Sequence, residues 1–157
     1  MALYNVEAII NIEEVQKACG GSHFEEDCAA SISSKLGPEV NASEISLASI
    51  TVLEERARAC LDEARKLESQ TPEVSQSGPL WDAIREYETV LDSCNKAREA
   101  FKARDREQMR SALSDAYKAS GHVTDSHEQQ TEQLKVLNTN LAMAAQSAFT
   151  VVPETLY

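Results

Sequence analysis

Ile50 to Leu67 reads ITVLEERARACLDEARKL. Apolar or small side chains stand at Ile50, Leu53, Ala57, Cys60, Ala64 and Leu67, in steps of 3, 4, 3, 4 and 3. Residues three and four apart share one face of a helix, so this spacing predicts a helix with a single buried seam. Glu, Arg and Lys fill most of the remaining positions and are good helix formers. Just upstream, Asn41 is followed three residues on by Glu44, the arrangement of a reciprocal helix cap. The helix is therefore expected to open near Asn41 and to run to about Gln70.

The same pattern continues in both directions. Residues 71–78 are rich in Pro, Ser and Gln and read as a loop, and Pro79 then stands where a first helical residue tolerates proline. Ala83, Tyr87, Val90, Cys94, Ala97 and Phe101 repeat at helical spacing, widened by Leu80, Ile84 and Leu91. This second helix is expected to end near Arg104. Asp105 with Gln108 reads as a cap for a third helix, with Met109, Leu113 and Ala116 on its inner face and Gly121 at its end. Asp125 with Glu128 restarts the chain. Leu134, Leu137, Leu141, Ala145, Ala148 and Val152 line a last long helix, stopped by Pro153. On the N-terminal side, Leu36-Gly37-Pro38 breaks the chain after two short helical pieces, about 5–18 and 24–36, joined through Gly20-Gly21. The fold class expected is all-α: an antiparallel up-and-down four-helix bundle over 41–152, preceded by an N-terminal helical hairpin over 5–37, all in one domain spanning 1–157.

Composition agrees. The 157 residues hold five glycines and four prolines, and aromatics make up 5%. The net charge of −11 disfavours nucleic acid, whose phosphates call for clustered Lys and Arg, and suits a basic partner surface. No apolar run reaches the length of a membrane span. Met1 to Ala8 lacks the basic and apolar regions of a signal peptide. The chain is expected to be either cytosolic or secreted with its signal already removed, and the cysteines favour secretion.

Those cysteines are Cys19, Cys28, Cys60 and Cys94. Cys19 and Cys28 flank the hairpin turn. Cys60 and Cys94 lie on the seams of consecutive helices. The expected pairing is Cys19–Cys28 with Cys60–Cys94, although four cysteines allow three pairings, and four reduced, buried thiols are the alternative. No CxxC occurs, and His23, His122 and His127 do not stand at ligand spacing from the cysteines, so no metal is expected. There is no GxSxG, HExxH, GxGxxG or P-loop. No Glu precedes a His by three: residues 20, 119 and 124 are Gly, Ala and Thr, which removes the di-iron bundle pattern. Neither an enzyme nor a cofactor is expected, and binding is the function left to such a scaffold.

Several motifs, in order, resemble the plant family of invertase and pectin methylesterase inhibitors. In that family a helical hairpin carrying Cys-x8-Cys precedes a four-helix bundle, and Cys19 to Cys28 has that spacing. Asp82-Ala83-Ile84-Arg85-Glu86-Tyr87 is similar to the family's Asp-Cys-x-Glu-x-Tyr, and Leu113-Ser114-Asp115-Ala116 to its Leu-Ser-Ala-Ala. His122-Val123-Thr124-Asp125 stands where the family has Thr-Cys-x-Asp, and the final helix with Leu137-Asn138 and Asn140-Leu141 also looks like the family's. The chain reads as a divergent member. The positions of the family's second disulfide are Ala83 and Val123 here, Arg85 replaces the pattern's Glu, and Cys60 with Cys94 reads as a relocated bridge.

The resemblance implies a secreted protein inhibitor that blocks a plant cell-wall carbohydrate-active enzyme. The absence of a Pro-Lys-Phe tripeptide, associated with invertase inhibition, favours pectin methylesterase as the target over invertase. A non-inhibitory pollen or seed allergen-type member is the other reading. Partner-binding residues implied are Trp81, Arg85, Asp92, His122 and Asp125, in a protein expected to be a monomer. The plainer readings are a packed end of the core for Trp81 and solvated surface for Asp92 and Asp125. Asn41-Ala42-Ser43 is a glycosylation sequon as well as a helix cap, and the cap is the stronger reading.

Overall fold

The structure, a computed structural model, describes residues 13–36, 41–70, 78–124 and 131–155. These residues are helical or in short turns. A helical stretch over 13–19 is followed by α1 (Glu25–Ser33), α2 (Ala42–Gln70), α3 (Pro79–Lys102), α4 (Arg106–Thr124) and α5 (Glu132–Thr155). Helices α2 to α5 form a ring in which each packs against two neighbours: α2 on α3, α3 on α4, α4 on α5 and α5 back on α2. Ion pairs Arg65–Glu88, at 3.2 Å, and Glu54–Arg98 run in opposite index order between α2 and α3, as antiparallel neighbours require. The architecture is the predicted all-α bundle behind a hairpin.

Each predicted seam points inward. Leu53, Ala57, Cys60, Tyr87, Val90, Cys94, Ala97, Leu113, Ala116, Ala145 and Ala148 are fully buried, and Leu141 is nearly so. Small residues at every second or third layer let the helices approach, while Tyr87, Met109 and the leucines fill the space between them. A second, smaller cluster joins Val15, Cys19, Cys28 and Ile32 of the hairpin to Ile45, Ala48 and Val151 at one end of the bundle.

Four features shape the hairpin and fix it there. Cys19 and Cys28 are disulfide-bonded, with Cα atoms 5.9 Å apart. Ser22 Oγ donates to Gln146 Oε1 at 2.7 Å and lies 3.0 Å from Ser147 Oγ, which ties the turn to α5. Gly21 presses on the same helix, since a Cβ there would sit 3.0 Å from Thr150 Cγ2. The guanidinium of Arg56 donates to both carboxylate oxygens of Asp27, at 2.8 and 3.0 Å, and to the Asn140 carbonyl at 2.8 Å. One side chain of α2 thus holds α1 and α5 together, in the bidentate geometry that favours Arg.

Helix ends depart from the sequence reading in instructive ways. Asn41 and Asp105 do cap, accepting from the backbone N–H of Glu44 at 2.9 Å and of Gln108 at 3.0 Å. Helix α3 stops at Lys102 with Arg104 in the left-handed region, φ 55°. There Asp105 N–H reaches the Ala100 carbonyl and Arg104 N–H the Phe101 carbonyl, the paired closure of a Schellman end without its usual glycine. Gly121 does not end α4, which continues to Thr124 and so brings Val123 into the core at 2% exposure. Helix α5 opens on Thr131, whose Oγ1 accepts from Leu134 N–H at 3.2 Å, and runs past Pro153 to Thr155. The expected Asp125–Glu128 cap, residues 5–12 of the first helical piece, Gly37-Pro38 and His127 lie outside the described residues.

The Cys60–Cys94 bridge expected from the sequence is not formed; both residues are free, buried thiols. Facing seams are not sufficient for a bond. A disulfide needs Cα atoms about 4.4–6.8 Å apart, whereas packed helix axes stand about 8–10 Å apart, so bridging succeeds only at the closest crossing.

Candidate partner-binding site

The end of the bundle away from the hairpin carries most of the residues singled out from the sequence. Pro79 starts α3 after Gly78, whose φ of 107° gives the chain a turn that other residues adopt with strain. Trp81 follows, half-buried. One turn on, the Arg85 guanidinium lies over its ring, 4.8 Å from the centroid. Stacked in this way, the indole is covered on one face and the guanidinium is held by a cation–π contact. The next residue, Glu86, turns toward α4, where His122 Nδ1 is 3.5 Å from its Oε1.

Between these helices is an open cleft of about 430 Å³. Ala83 and Val123, the positions of the family's second disulfide in the resemblance, form its buried floor. Pro79, Asp82, Arg85, Glu86, Thr89 and His122 form the walls. Where a covalent bridge would close α3 on α4, this chain has two small apolar side chains and a polar mouth.

Of the five residues implied as partner-binding, the structure brings Trp81, Arg85 and His122 to this end. Asp92 stands apart on the exposed face of α3, paired with Lys96 at 3.1 Å. Both side chains of that pair are largely solvated, so it contributes little to stability. Asp125 lies outside the described residues. Asn41 sits at the opposite end of the bundle as the α2 cap; that bond uses Oδ1, so the cap and the amide nitrogen of the sequon are served by different atoms.

Asp82, Glu86 and Thr89 were not singled out from the sequence, although the first two fall in its Asp82 to Tyr87 motif. Their signal is the pair of i,i+4 relations, 82 with 86 and 85 with 89, which places four polar side chains on adjoining strips of one helix.

The buried groups offer no reactive centre. Burial pushes the Cys60 and Cys94 thiols from the ordinary 9 up to about 12, with the Glu54 carboxylate adding to the rise at Cys94. Both remain protonated at neutral pH, which denies them the thiolate that nucleophilic chemistry needs. Burial likewise raises the Tyr87 phenol, whose hydroxyl donates to Asn138 Oδ1. Among the described residues no group of three or more His, Cys, Asp or Glu side chains is placed to hold a metal ion. None of the described helices is long and apolar enough to cross a membrane.

No protein-family model matches the chain, and no curated protein matches it in sequence. Among solved structures it is similar to the crystal structure of a pectin methylesterase inhibitor from Arabidopsis thaliana, with a TM-score of 0.66 and 15% sequence identity. The likeness covers 92% of this chain and 97% of that one. At this identity it is a likeness of fold.

Proposed function

We propose that the protein is an inhibitor that binds a plant pectin methylesterase one-to-one and occludes its polysaccharide cleft, working outside the cell. The observation that carries this reading is the extent of the structural likeness. It runs over 92% of the chain and 97% of the inhibitor, so hairpin and bundle correspond together. Occlusion asks for a rigid body of the right shape and needs no reactive side chain, which suits a scaffold whose buried thiols are held protonated. The contact surface assigned is α3 with α4, including Trp81, Arg85 and His122. The close packing of α3 on α4 keeps that surface preorganised and limits the ordering cost of association.

The experiment is capture from a plant cell-wall extract by the immobilised protein with its Cys19–Cys28 bond intact, followed by mass-spectrometric identification. Enrichment of a pectin methylesterase is expected. Enrichment of an invertase alone would move the target. Recovery of neither would favour a non-inhibitory, allergen-type member of the same fold.

A further inference from the structure

We propose that the cleft between the start of α3 and the end of α4 is a receptor for one cationic side chain, a lysine or arginine, projecting from the partner enzyme. This rests on the inhibitor reading for the identity of the partner, but its chemistry can be read from the cleft alone. Ala83 and Val123 close the apolar base of the cleft, and Pro79 and Thr89 stand in its wall. That surface suits the methylene stem of Lys or Arg, which packs on apolar groups while its head stays polar. Two carboxylates, Asp82 and Glu86, stand one helical turn apart at the mouth. Among the described residues no ion pair engages Asp82, and the partner of Glu86 is His122, 3.5 Å away and charged only when protonated.

Among the described residues the one permanent cation in the wall is Arg85, which is held over Trp81. His122 apart, the two carboxylates outnumber the one guanidinium of the wall, on a chain whose overall charge is −11. The volume of about 430 Å³ admits a long side chain together with its flanking backbone. A charged head between two carboxylates would also give the complex its register, because rim and pocket charges discriminate among partners more than they add affinity.

The test uses the whole oxidised protein, isotopically labelled, and Nα-acetyl-arginine methylamide as the probe. Saturable shifts are expected at the amides of Ala83, Glu86, Thr89 and Val123, weakened at least tenfold in the Asp82→Asn, Glu86→Gln double variant. Both substitutions keep side-chain size at exposed or half-exposed positions, and the unchanged remainder of the spectrum reports that the fold is intact. The absence of saturable shifts, or an equal response to Nα-acetyl-glutamate methylamide, would overturn the proposal.

A second arm measures the complex with pectin methylesterase. Glu86→Gln should weaken it at least tenfold and Asp62→Asn, on α2, should not; a complex indifferent to both Asp82→Asn and Glu86→Gln would also overturn it. If the arginine probe binds and no enzyme does, the receptor stands and the inhibitor reading fails.

Discussion

Cys60 and Cys94 are the residues whose chemistry is set most completely by their surroundings. Their thiols are fully buried and pushed up to about 12, so they should not react with a thiol reagent until the chain unfolds. Mass labelling with and without denaturant checks this: two labelled sulfurs are expected only in the unfolded protein, with Cys19–Cys28 unlabelled throughout. The same burial links stability to alkaline pH. The unfolded chain ionises each thiol near 9, while the folded chain holds the proton to about 12. The contribution is complete below 9 and is lost as pH rises between those values, by about 1.4 kcal/mol per pH unit for each thiol ionised only in the unfolded state. Urea unfolding from pH 8 to 10.5 should show the decline, and a Cys60→Ala, Cys94→Ala variant should show a shallower one.

Arg56 is the other decisive side chain. It joins Asp27 to the Asn140 carbonyl, and both side chains of the ion pair are less than a third exposed. Arg56→Met should cost about 1–3 kcal/mol. Because the contact ties α1 to the bundle, amide exchange should rise in Glu25–Ser33 more than in α3. Equal protection in both elements would show that the disulfide and the Ser22–Gln146 contact hold the hairpin unaided.

At the scale of the element, the seams carried the prediction. Leu53→Ala on α2 and Leu141→Ala on α5 should each cost about 2–5 kcal/mol, as buried leucines do. Val136→Ala, at a position 56% exposed, should stay within about 0.5 kcal/mol. Chemical denaturation of the three variants checks the helix phases together. These phases were legible because burial imposes one period on many residues at once. Helix ends were less so, because each depends on a few local bonds. Arg104 closes α3 in a conformation usually marked by glycine, Gly121 is carried through α4 because Val123 beyond it is buried, and Thr131, which carries no seam signal, caps α5.

The disulfides divide along the same line. Cys19–Cys28 closes a short loop, so sequence separation nearly determines proximity. Cys60 and Cys94 depended on how closely the α2 and α3 backbones approach, which neither seam encodes. The candidate site was legible only in part, since no periodic constraint acts on surface residues. Trp81 and Arg85 meet as an i,i+4 pair on α3, His122 reaches this end because α4 packs beside α3, and Asp92 points elsewhere on α3.

The whole molecule is acidic, with a pinned hairpin at one end of its bundle and a polar cleft at the other. A chain of net charge −11 should associate faster with a basic enzyme at low ionic strength than at high. Added salt should therefore lower the association rate more than it raises the dissociation rate, which stopped-flow or surface-bound kinetics can separate. Equal rates at low and high salt would place the contact on an uncharged patch. The most direct measurement of the inhibitor reading is an activity titration of a purified plant pectin methylesterase with the protein, its Cys19–Cys28 bond intact. The expected result is a linear loss of activity to an end point at one equivalent, reversed on dilution as for a steric complex. Full activity at several equivalents, with no complex on size exclusion, would contradict it.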